Sequence, residues 1–226
     1  MSQPLSVIVG VGDGLSASLA RKLARRGHEL VLASRRPESI AALGGETKGR
    51  TVACDASEEA DVERLFASLG RAPDVVIYNP SFRTRGPFVD LVARDVLKAL
   101  EVCAFGGFLV GQAAARRMLR DKKGGTIVFT GASASVKGYA QSAPFAMGKF
   151  ALRGLAQSMA RELHPQGIHV AHVVIDGGIR SERRADDGKD SLLDPDAIAD
   201  SYLHLIDQPR TSWSWEIEVR PWLERF

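Results

Sequence analysis

A chain of 226 residues that is 45% apolar and 25% charged carries enough apolar surface for one α/β core. It is too apolar for a disordered chain and too short for a second large domain, so residues 1–226 are read as one domain. The net charge of +3 comes largely from scattered Arg pairs such as Arg25/Arg26, Arg116/Arg117 and Arg183/Arg184, a solvated pattern that excludes nucleic acid as the main partner.

In chain order, short β-branched runs alternate with longer amphipathic stretches. This is the pattern of βαβ units around a parallel sheet buried on both faces. Strands are expected at Ser6–Val9, Glu29–Ala33, Arg50–Cys54, Val75–Tyr78, Gly125–Thr130, His169–Ile175 and Trp213–Val219. In the last, Trp213, Trp215, Ile217 and Val219 alternate with polar residues, predicting one buried and one wet face. Helices are expected at Leu15–Arg26, which Gly27 stops, at Val96–Arg120, and at Ala151–Leu163, which Pro165 ends. The charged stretch Arg180–Ser191 reads as a loop, and Asp194-Pro195 opens a short helix through about Leu205. Together, roughly 180–207 form an expected substrate lid of loop and helix. Cys54 and Cys103 cannot form a disulfide framework, and the five histidines are scattered, so no metal site is expected. The first ten residues resemble neither a signal nor a membrane span, which points to the cytoplasm and to no membrane partner.

The most informative segment is Gly10-Val11-Gly12-Asp13-Gly14-Leu15-Ser16, three glycines between the first strand and the first helix. There the chain must turn tightly and approach a diphosphate that a Cβ would obstruct, while the helix start offers free N–H groups. The second strand ends Ser34-Arg35-Arg36, where a carboxylate would suit the free ribose of NAD. A hydroxyl and guanidinium groups suit a 2′-phosphate instead, so NADP(H) is expected ahead of NAD(H).

Several motifs resemble those of the short-chain dehydrogenase/reductase family across nearly the whole chain. Gly10, Gly12 and Gly14 look like its glycine turn, Asp55 with Ala56 matches its adenine-side Asp, and Asn79 with Pro80 matches its N-N-A-G segment. Lys149 matches the Lys of its Y-x-x-x-K motif. The resemblance implies a single-domain Rossmann fold with a doubly wound, seven-stranded parallel sheet, helices on both faces, and hydride transfer to a small-molecule substrate. It also implies a homodimer or homotetramer. The cofactor residues then number Gly10, Gly12, Asp13, Gly14, Leu15, Ser34, Arg35, Arg36, Asp55, Ala56, Asn79, Pro80, Lys149, Gly177 and Ile179.

The catalytic positions depart from the family. Phe145 stands where its acid/base Tyr belongs, Cys103 where its Asn belongs, and Ala132 at or beside its Ser, leaving Ser133 as the nearest hydroxyl. The turn Ile175-Asp176-Gly177-Gly178 is one residue longer than its P-G turn. A phenyl ring has no ionisable proton, so reduction needs another source: water, or a hydroxyl among Ser133, Ser135, Tyr139 and Ser142. Cys103 reads more readily as packing than as a reactive thiol. The rival reading is an NADP(H)-binding sensor or interaction protein without turnover.

Overall fold

The β-branched runs form seven parallel strands because the central ones have apolar side chains on both faces and each is reached by a crossover connection. In the computed structural model, which describes residues 3–181, 184–185 and 188–224, they are β1 (Leu5–Val9), β2 (Glu29–Ser34), β3 (Arg50–Ala53), β4 (Val75–Tyr78), β5 (Gly125–Thr130), β6 (Ile168–Ile175) and β7 (Glu216–Val219). Their order is β3-β2-β1-β4-β5-β6-β7, so the chain reverses direction across the sheet between β1 and β4. That switch point opens a crevice at the carboxyl ends of the strands.

Among the described residues, seven α-helices flank the sheet: α1 (Leu15–Arg25), α2 (Ala41–Thr47), α3 (Glu59–Ala67), α4 (Ala93–Leu100), α5 (Gly106–Arg120), α6 (Ala143–Leu163) and α7 (Pro195–Asp207). One apolar cluster joins β1 and β4 to α3, α5 and α6 through Val76, Leu109 and Leu152; the other joins the opposite face to α1 and α7 through Ile8, Leu19 and Tyr202. Helices therefore cover both sides of the sheet, as expected. The stretch from Ala93 to Arg120 is long and apolar enough to cross a membrane by length and composition. Part of it packs on α3, α6 and β4, while Leu97, Phe105, Phe108 and Leu119 are exposed.

Several boundaries and two elements differ from expectation. α2 and α3 were not anticipated; Gly44 and Gly45 weaken the helical pattern of the first, and in α3 the buried set is only Val62, Leu65 and Phe66. α6 begins eight residues before Ala151, because Ser142 and Pro144 start it. α4 and α5 are joined by a π-turn at Glu101–Phe105. β7 starts three residues after Trp213, whose indole donates to Gln208 O at 3.1 Å and stacks on His169 with centroids 4.8 Å apart. The polar face of β7 is wet at Glu218 but not at Glu216. Glu216 takes two hydrogen bonds from Arg153, at 2.6 and 2.7 Å, and lies 3.0 Å from His172 Nδ1.

The expected lid divides in two. α7 is core: Ile198, Ala199, Tyr202, Leu203 and Leu205 are buried and the helix packs on α1. Only the segment before it borders the crevice, and there residues 182–183 and 186–187, including Arg183 of the third Arg pair, lie outside the described residues.

Candidate active site

The glycine turn is held by backbone geometry. Both Gly10 N–H and Val11 N–H donate to Ala33 O at 3.0 Å, which ties the turn to β2. Gly10 has φ +80°, and a Cβ there would lie 2.6 Å from Pro80 N, so only glycine fits. Added Cβ atoms at Gly12 and Gly14 would meet nothing within 4 Å; they would occupy the open crevice itself. α1 begins with Gly14 as its cap and without a side-chain capping bond, so its first amides and the positive end of its dipole face that space. Ser16 Oγ closes the turn by accepting from Gly12 N–H at 3.0 Å. A cradle that a Cβ would fill, beside free helix amides, fits a dinucleotide diphosphate.

The crevice has two compartments meeting at Gly10–Asp13. The first, about 520 Å³, is lined by Ser34, Arg35 and Arg36 from the end of β2, by Asp55 and Ala56 after β3, and by Asn79 and Pro80 after β4. Asn79 Nδ2–H donates to Gly10 O at 3.3 Å, fastening β4 to the turn. Burial alone would raise the Asp55 pKa, but hydrogen bonds from Ser57 and the charges of Lys98 and Arg35 hold it below the usual carboxylate value. Cys54 also borders this compartment, and burial pushes its thiol up to about 12, so it stays protonated.

The second compartment, about 620 Å³, is lined by Gly14 and Leu15 of α1, Ser133 and Tyr139 of the β5–α6 loop, Phe145 and Lys149 of α6, and Gly177 and Ile179 after β6. Lys149 is buried and donates to Thr130 O at 2.7 Å; burial lowers its pKa. Of the four hydroxyl candidates, only Ser133 and Tyr139 border this space. Ser135 is fully buried, where it accepts from Ala132 N–H and lies 3.3 Å from His172 Nε2. Ser142 is buried at the start of α6. His172 in turn meets Glu216, and its burial lowers its pKa to about 4, so it is neutral at pH 7.

Cys103 lies outside both compartments. It is fully buried in the π-turn, with Sγ 3.5 Å from Phe82 N and O, and Gly148 comes so close that a Cβ there would lie 2.8 Å from Cys103 Cβ. It packs with Ala134 and Phe145, against Ala132 and Ala146, in a small apolar cluster. Cys103, Ala132 and Phe145 thus share one apolar patch, while Ser133 borders the second compartment.

Three groups had no sequence signal. Arg83, in the irregular stretch after β4, sets its guanidinium 4.9 Å above the Phe145 ring, on which Lys149 Nζ also bears at 5.8 Å. Asp176, almost wholly buried, pairs with Lys137 at 3.1 Å and Arg220 at 3.0 Å, pinning the β5–α6 loop to the chain after β7. The Arg153–Glu216–His172 chain buttresses the same loop from beneath. Each joins residues far apart in sequence.

Residues 5–191 match the family described as short chain dehydrogenase. The chain is 27% identical over 220 residues to carbonyl reductase family member 4 of Danio rerio, covering 91% of this chain and 92% of that protein. It is 27% identical over 185 residues to the 3-oxoacyl-[acyl-carrier-protein] reductase of Homo sapiens, covering 79% and 77%. A short-chain dehydrogenase structure from Rhodopseudomonas palustris is 34% identical with a TM-score of 0.86, over 98% of this chain and all of that one. A metagenomic short-chain oxidoreductase solved in complex with NADP is 28% identical, with a TM-score of 0.84 over 99% of each chain.

Proposed function

The chain belongs to the short chain dehydrogenase family and is an oxidoreductase of that type; we propose that it uses NADP(H) to move hydride to or from a small carbonyl or alcohol substrate with a non-standard proton donor. The observation that carries the cofactor assignment is the end of β2, where Ser34, Arg35 and Arg36 line the first compartment in place of a carboxylate. The bound dinucleotide supplies the hydride. The protein's part is to seat the diphosphate on the α1 amides, hold the extra phosphate with Arg35, and keep Lys149 beside the nicotinamide ribose.

Reduction also requires a proton at the substrate oxygen, and Phe145 has none. Ser133, Tyr139 or water delivers it, because these two hydroxyls border the second compartment. Self-association is part of this reading: Phe105 and Phe108 on the α4–α5 side, with Met147 and Phe150 on α6, are exposed apolar residues suited to a homodimer face.

The test is a fluorescence titration with NADPH and NADH. NADPH is expected to bind about ten-fold tighter, and Arg35→Ser to erase the preference without weakening NADH. Equal affinities in the wild type overturn the NADP assignment, and binding of neither overturns the oxidoreductase reading. One observation favours a second reading, a nucleotide-binding sensor without turnover: the apolar cluster at the three departed catalytic positions. Absence of NADPH oxidation over a panel of aldehydes, ketones, quinones and imines would support it.

A further inference from the structure

The described lining of the second compartment carries more positive than negative side chains. Among the described residues that line it, Arg83, Lys149 and Arg184 are positive and Asp13 alone is negative. Lys149 is spent on Thr130 O, but the two arginines are not: among the described residues, neither Arg83 nor Arg184 has a carboxylate within ion-pairing distance. Arg83 sets its guanidinium carbon 4.9 Å from the centre of the Phe145 ring and lines the compartment; a phenyl face takes none of its five N–H donors.

Arg184 approaches from the opposite wall. Its backbone pairs with Ser181 in both directions, at 3.0 and 2.9 Å, and its guanidinium lies over Gly178, where a Cβ would meet Nη1 at 2.6 Å. Partial burial lowers the Arg83 pKa, and so do the neighbouring charges of Arg85 and Arg184. Like charges held together around an open space cost free energy unless an anion enters between them. The cofactor's diphosphate has its own seat at the α1 amides, and its 2′-phosphate lies at Arg35 in the other compartment, so neither accounts for this pair.

We propose that Arg83 and Arg184 form an anion-binding subsite, and that the substrate is a small carbonyl compound bearing a carboxylate or phosphate. This assignment rests on the oxidoreductase reading for the carbonyl half of the substrate. Its anionic half stands on the two guanidinium groups alone. Phe145 then acts as the platform on which Arg83 is stacked: a phenyl face holds a guanidinium without competing for its donors, as a carboxylate would.

The experiment is calorimetric titration of the full chain, with and without saturating NADP+, using short oxo acids, their methyl esters, and dihydroxyacetone phosphate against dihydroxyacetone. The charged member of at least one pair is expected to bind about ten-fold tighter, as a two-point guanidinium contact allows. The preferred series identifies carboxylate or phosphate as the anion. Arg83→Gln and Arg184→Gln should each reduce the preference at least about five-fold, Arg83→Lys should keep more of it, and NADPH affinity should stay within about three-fold. Equal binding of acids and neutral analogues, or variants that keep the preference, overturns the subsite. So does a loss confined to NADPH affinity, which would return both arginines to the cofactor. If the wild type binds no nucleotide the oxidoreductase reading fails, while the titration of the unloaded chain still decides the anion site by the same criteria.

Discussion

Around the first compartment, main-chain geometry does much of the work: Ala33 O receives two amides of the turn and Gly10 touches Pro80. Around the second, side chains do it, and they come from the β4–α4 stretch, the β5–α6 loop, α6, β6 and β7. At the reacting end side chains from three separate segments meet: Cys103 of the π-turn, Ala134 of the β5–α6 loop and Phe145 of α6 form one apolar cluster. A dinucleotide seat is thus a property of the fold, whereas chemistry is a property of a few contacts that can be rewritten.

The strongest way to break this contrast is Gly10→Ala. Its positive φ and the 2.6 Å approach to backbone atom Pro80 N leave no room for relaxation, so about 3 kcal/mol or more should be lost in stability or NADPH binding. Denaturant unfolding and nucleotide titration check this; a folded variant with wild-type affinity would show that the turn is not rigid.

Next in size is Phe145→Tyr, which returns an ionisable hydroxyl to the wall of the second compartment near Lys149. Carbonyl reduction should rise about a hundred-fold in kcat at unchanged NADPH affinity. An inert variant with normal binding would mean that the surrounding cluster, and not only the missing hydroxyl, blocks the reaction.

A pH series sharpens the comparison further, because His172 is buried beneath the reacting end. Its pKa is lowered to about 4 in the folded chain against about 6.5 unfolded, so the unfolded chain binds the extra proton between those values. Stability therefore falls by roughly 2–3 kcal/mol as pH drops from 6.5 to 4. Below that window Glu216, whose carboxyl burial would raise but whose contacts with Arg153 and His172 lower, loses its contribution in turn as it is protonated. His172→Asn should flatten the upper part of the profile, which thermal unfolding across the pH range would reveal.

The smallest effect belongs to Asn79→Ala, which removes the 3.3 Å bond to Gly10 O. It should cost about 1 kcal/mol in thermal unfolding and weaken NADPH binding only a few-fold.

Much of this was legible from residue order. Strand after strand was marked by β-branched runs, and the glycine turn carried its own meaning because conformational demands at Gly10 are local. Errors fell where local pattern is weak or misleading: two glycines hid α2, and Glu216 looked solvent-facing from its alternation although Arg153 and His172 enclose it.

The sequence by itself determined the architecture and the glycine turn, since each depends on neighbours in the chain. Only the tertiary structure decided that Cys103, Ala134 and Phe145 form one apolar patch, that α7 is core, and that Arg83 and Arg184 face a common space. Those are meetings between segments tens of residues apart, and side-chain electrostatics acts through distance in space, which no local pattern encodes.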